Sequence, residues 1–218
     1  MIEILLYVSS GLIILGYVLY LFIILIGRSK IVSDSDGFDV TKDIISEYNS
    51  INVIESKNYF TVYNIKRRVI RLNTKCYYGN SLSDITLSLI EAGISIIDDY
   101  KNKYINLFRQ LVPNLKLLYI FPILSLFINH STYNVSDARV SIIFIILFMI
   151  ISYILYNIKY DACFCISNNI KKIKEISKDN HNRVIRFMNK ILWLDKFIFF
   201  GEFIMILRSI LILLEINL

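Results

Sequence analysis

Glu91 is the residue of this chain whose setting points most directly to chemistry. It stands in the stretch SLIEAGISII, Ser88 to Ile97, between Ile90 and Ile94, two positions four residues apart. On a helix such positions share a face. Two imidazoles there would reach one metal ion, and a carboxylate beside the first would take the proton from a metal-bound water. Both ligand positions hold isoleucine, which cannot ligate. Only the glutamate remains, and a lone glutamate on an apolar helix also reads as a partly exposed residue or the partner of a nearby base.

Other catalytic arrangements have little room. The chain has two histidines, His130 and His181, both expected to be solvated surface residues. Its three cysteines are Cys76, Cys163 and Cys165; the CFC pair lacks a second pair or a nearby histidine to complete a zinc tetrahedron. They are expected to be reduced and structural. The sequence contains no glycine-rich phosphate loop and no serine–histidine–aspartate spacing.

The elements that must position Glu91 are mostly apolar. Of 218 residues, 56% are hydrophobic, more than a globular core of this size can use, and lipid is the place for the excess. Residues 1–27, with no charge from Ile4 to Gly27, are read as a retained transmembrane anchor rather than a signal peptide. Residues 114–158 read as a transmembrane hairpin built from LKLLYIFPILSLFI and VSIIFIILFMIISYILYNI. Residues 191–218 read as a last span, whose Asp195, Lys196, Glu202 and Arg208 should face protein or water.

The expected fold is therefore mainly α and integral to the membrane, with about four transmembrane helices and a small α+β portion. Arg28 and Lys30 follow the first run, and residues 159–190 hold eight Lys/Arg against three Asp/Glu. The positive-inside rule then makes 28–113 and a basic loop 159–190 cytoplasmic, with 129–139 outside a multi-pass cell-membrane protein. The net charge of +6 sits in these juxtamembrane stretches. It suits the anionic inner leaflet, and nucleic acid is not an expected partner.

Within 28–113, VTKDIISEYNS reads as a short amphipathic helix with Thr41 as its cap. NYFTVYNIKRRVIRLN reads as two strands about a turn at Asn64 to Arg67. SLSD, an imperfect capping box, opens a central helix over residues 81–103. Apolar residues cover most of that helix, so it should be buried on several sides.

This order of parts resembles the bacterial membrane-bound neutral zinc metallopeptidase family. VIRLN is similar to the family's V-R-L-S strand, CYYGNSL to its V-Y-x-x-x-S-I approach, QLVPNL to its L-V-P hinge, and IKYDAC to its V-E-F-D/N-A-S. Between these markers, IEAGI falls on the family's H-E-x-G-H. The similarity runs from about Val40 to Arg208. It implies a zincin-like α+β portion in 28–113, a hydrolase activity and a zinc cofactor.

The departures lie at the metal. Ile90, Ile94 and Lys159 occupy the three ligand positions, and Glu91 alone keeps its place, that of the general base. With no ligand for zinc, neither a bound metal nor hydrolysis by the family's mechanism is expected. The leading reading is a pseudoenzyme that binds or regulates other membrane proteins, its partners being the lipid bilayer and a membrane protein or active paralogue. A working peptidase with an unconventional site is a second reading. A structural or transport subunit, suggested by the charges in the last span, is a third.

Two structural expectations follow. Ile90 and Ile94 should seal the vacated pocket against apolar neighbours. Lys159 should enter the same space and pair with Glu91 in place of the metal, unless its stem carries the ammonium out to the headgroups.

Overall fold

The computed structural model describes residues 2–48, 50–58, 60–100, 102–111 and 120–215. The helices are α1 (Ile2–Arg28), α2 (Gly37–Ile45), α3 (Thr74–Tyr78), α4 (Leu82–Asp99), α5 (Lys103–Leu111), α6 (Phe121–Ser131), α7 (Val135–Asn169) and α8 (Lys178–Glu215). Three short strands, β1 (Asn52–Ser56), β2 (Val62–Asn64) and β3 (Val69–Asn73), lie between α2 and α3. The chain divides into two compact units, one of residues 1–21, 117–156 and 193–218, the other of residues 22–116 and 157–192.

The first unit contains the apolar helical segments. Among the described residues three helices, α1, α7 and α8, are long and apolar enough to cross a membrane. Four spans were expected. The remaining one corresponds to α6, whose eleven residues rise only about 16 Å against roughly 30 Å of hydrocarbon; residues 112–119 before it lie outside the described residues.

Packing in this unit centres on Ile13, Ile145, Ile198, Met205 and Ile206. Glycines bring α1 and α8 together, since a Cβ on Gly16 would meet Ile198 Cγ1 at 2.6 Å and one on Gly201 would meet Ile13 Cγ1 at 2.6 Å. Small residues let apolar helices approach to this distance. The pairs 16–198 and 13–201 run in opposite senses, so the two helices are antiparallel.

The second unit holds the sheet, ordered β1-β3-β2, with β1 parallel and β2 antiparallel to β3. The β2–β3 hairpin was expected, and its turn falls at 65–68, one residue later than predicted, with Arg68 in the left-handed region at φ 53°. Strand β1 was not foreseen. Its only ladder among the described residues is parallel, with a partner 17 residues on in sequence, so no hairpin pattern announces it.

Helix α2 begins at Gly37, capped by Asp36, whose Oδ1 accepts from Asp39 N at 3.0 Å. Thr41 is therefore not the cap but a buried residue inside the helix. Ser81 caps α4 as expected, accepting from Asp84 N at 3.3 Å. The central helix ends at Asp99 and not at Lys103, because Asn102 turns its Oδ1 to the amides of Tyr104, at 3.0 Å, and Ile105 and so starts α5.

The basic stretch 159–190 is not a loop. Helix α7 runs through it to Asn169, a 3-10 turn covers Ile170–Lys172, and α8 begins at Lys178. Ala162, Cys163, Ile166 and Ile170 are all buried, a helical apolar face that the charge count concealed. His181 is buried within α8, not solvated. His130 is exposed as expected and lies 3.3 Å from Ser10 Oγ.

Candidate functional site

Helix α4 is the centre of the second unit, and all its residues but Leu87 and Asp99 are buried. It touches α2, α3, α5, β2 and β3. It also approaches α7 closely at Gly93, where a Cβ would stand 2.7 Å from the Ala162 carbonyl oxygen and 3.0 Å from the Ala162 Cβ. The glycine of IEAGI thus lets α4 meet α7 backbone to backbone.

Three buried carboxylates, Asp84, Glu91 and Asp98, lie on α4 at intervals of seven residues. Two helical turns separate each from the next, so they form one stripe. Asp84 belongs to the amino-terminal cap. It accepts from Ser81 Oγ at 2.6 Å, lies 3.9 Å from Cys76 Sγ, and has Arg28 Nε at 3.7 Å.

Glu91 and Asp98 both hold Tyr63, the middle residue of edge strand β2. Glu91 Oε2 accepts from the Tyr63 backbone N–H at 2.8 Å, and Asp98 Oδ2 accepts from the Tyr63 hydroxyl at 2.6 Å. Buried carboxylates need such donors. The edge strand gains from them too, because one of its outward amides ends on a side chain rather than on another chain. Burial first, and then the bond to Asp98, push the Tyr63 phenol well above its ordinary pKa, while Arg68 acts against them. Arg68 also forms an ion pair with Asp99 at the end of α4.

The predicted site residues fall as follows. Ile90 and Ile94 are on one face of α4 and both are buried. Glu91 is 3% exposed. Lys159 is 7% exposed and sits on α7 one turn before Ala162, the residue against which Gly93 packs. Among the described residues no group of three or more His, Cys, Asp or Glu is placed to hold a metal ion.

Sequence reasoning missed Tyr63 and Asp98, while Asp84 was read as the acid of the Ser81 cap. The signal was present as an acid at every seventh residue of an otherwise apolar helix. In the first unit, the expectation that the last span's charges face protein holds for Glu202 and Arg208, both buried. Arg208 donates to the Asn129 carbonyl at 2.7 Å and the Thr132 carbonyl at 3.0 Å, so it caps the end of α6. Lys196 is exposed, its ammonium 5.7 Å from the centre of the Tyr156 ring.

No protein-family model, curated protein or solved structure matches the chain. The likeness to the metallopeptidase family rests on the motifs quoted above and on the order of parts.

Proposed function

We propose that the protein is a multi-pass membrane protein of zinc-metallopeptidase likeness that does not hydrolyse by the zinc mechanism and acts by binding another membrane protein. The observation that carries this reading is the bond from Tyr63 N–H to Glu91 Oε2. The one retained group of the family's machinery is occupied in holding a strand, beside isoleucines where ligands would stand. Without a metal to lower the pKa of water from about 15.7 toward 7, a carboxylate has no activated nucleophile to serve.

The binding surface in this reading is strand β1. Among the described residues it pairs with β3 alone, and an open groove lined by Phe38, Lys42, Ile45, Tyr48 and Ile51 runs beside it. An extended segment of a partner can add to such an edge through main-chain hydrogen bonds and seat side chains in the groove. Since Asn52 N–H turns inward to the Arg68 carbonyl, the amide of Val53 turns outward.

Four crossings fit this reading better than three. The second unit joins residues 22–116 with residues 157–192, and Ser33 Oγ donates to the Glu175 carbonyl at 3.1 Å within it. Two stretches that fold together share one side of a bilayer. If α7 enters that side, the chain must have left it between residues 111 and 135, with α6 as part of the crossing. The basic residues of both stretches favour the cytoplasmic side.

The test is purification from membranes with zinc added, followed by metal analysis and a peptide-hydrolysis assay. The reading expects far less than one zinc per chain and no hydrolysis that Glu91→Gln abolishes; stoichiometric zinc or Glu91-dependent cleavage overturns it. For the surface, a photoreactive residue at Ile54 should crosslink a membrane polypeptide, and Val53→Pro should cut the adduct several-fold. An unchanged adduct removes β1 from the proposal.

A further inference from the structure

Glu202 lies midway along the apolar part of α8 and is 0% exposed. Its Oε1 accepts from Ser152 Oγ of α7 at 3.2 Å. Ser125 of α6, also fully buried, brings a second hydroxyl to the same carboxyl and donates to the Phe121 carbonyl at 3.0 Å. Glu202 Oε2 has no hydrogen-bond partner among the described residues. Three helices therefore converge on a carboxyl that still has one free oxygen.

The charged groups around it lie elsewhere. On α8 they are Asp195, Lys196 and Arg208, the last engaged with Asn129 and Thr132. On α7 no charged residue falls between Arg139 and Lys159, α6 carries only His130, and α1 has none between Glu3 and Arg28. An ionised carboxylate at such depth is strongly disfavoured unless a positive charge meets it.

We propose that Glu202, Ser152 and Ser125 form a monovalent-cation site among the apolar helices, one that takes up and releases a proton or a sodium ion. A single positive charge neutralises the single carboxylate, and the hydroxyl oxygens supply further hard ligands. A divalent ion would want a second carboxylate, which these three helices do not bring to the site. The site is independent of Glu91 and of the β1 surface, and it stands whether or not the binding reading does.

The probe is dicyclohexylcarbodiimide, an apolar reagent that adds to protonated carboxyls, applied to the full-length protein in detergent micelles and read by peptide mass spectrometry. An adduct at Glu202 is expected, falling as pH rises and absent in Glu202→Gln. Exchanging choline chloride for sodium chloride at fixed pH separates the two ions. A several-fold slower reaction identifies sodium, and an unchanged one identifies the proton. Ser152→Ala keeps the carboxyl but removes a donor to its charged form, so labelling near neutral pH should quicken several-fold. No adduct at Glu202, or labelling indifferent to pH, overturns the proposal, the second outcome marking a permanently protonated structural carboxyl.

Discussion

Replacing Glu91 by glutamine keeps an oxygen that can accept from the Tyr63 amide, whereas leucine removes it and leaves a buried N–H unmet. Glu91→Leu should therefore destabilise by about 1–3 kcal/mol more than Glu91→Gln, read from denaturant unfolding in detergent. Equal losses would show that the bond carries no weight. A double-mutant cycle with Lys159→Met decides the pair in place of the metal: coupling of about 1 kcal/mol or more supports it, and additivity rejects it. Tyr63 gives a pH test. Its phenol titrates above the ordinary value near 10, so the folded chain keeps a proton that the unfolded chain releases above that pH. The stabilisation is complete below about pH 10 and declines as pH climbs beyond it. The stability gap between wild type and Tyr63→Phe should hold steady up to about pH 9 and shrink above about pH 10. The shared buried face of Ile90 and Ile94 was legible because residues four apart on a helix meet. Tyr63 and Asp98 were not, since they meet across 35 residues and no local pattern joins them.

Between elements, the contact of α4 with α7 offers a test of sign. Glycine to alanine inside a helix ordinarily gains about 1 kcal/mol. At Gly93 the new methyl would press on the Ala162 carbonyl, and overpacking costs about 1–3 kcal/mol. Gly93→Ala should thus destabilise, with the midpoint falling in chemical or thermal unfolding; a stabilised variant would mean that the helices are free to separate. The cap of α4 at Ser81 was readable because a serine and an acid three residues on have one obvious use. Its end was not, since apolar periodicity continues past Tyr100 and only the asparagine side chain at 102 interrupts it. The last turns of α7, beyond Ile158, hid in the same way, since their apolar face of Ala162, Cys163 and Ile166 was counted into a stretch judged by its charge alone.

For the whole molecule, the expectation is recovery with membranes after high-salt washing and release only by detergent; recovery in the soluble fraction would sink the membrane reading. The crossing between residues 111 and 135 has its own test. Single cysteines at Phe60 and at the strongly exposed Tyr133, in a chain whose native cysteines are replaced, should react with a membrane-impermeant thiol reagent from opposite sides. Reaction from one side leaves three crossings. Long apolar helices announce themselves in any sequence, which is why the membrane character was legible. The short α6 gives a weak signal, and the proposal of four crossings rests on the joining of two distant stretches in one unit.

That joining also sets an order in time. The unit containing α4 takes its last residues from the stretch ending at Leu192, while its first stretch ends at Lys116. At about 5–20 residues per second, the ribosome needs roughly 4–15 s to make the residues between those ends. For the part of that interval before Ala162 is made, α4 is synthesised but lacks the helix that covers Gly93, and in the proposed topology the chain after it is then entering the bilayer. In the proposed topology insertion precedes completion of the second unit, so a failure of α6 or α7 to insert would leave an apolar helix exposed. Such a defect would show itself as aggregation or proteolysis of the nascent chain.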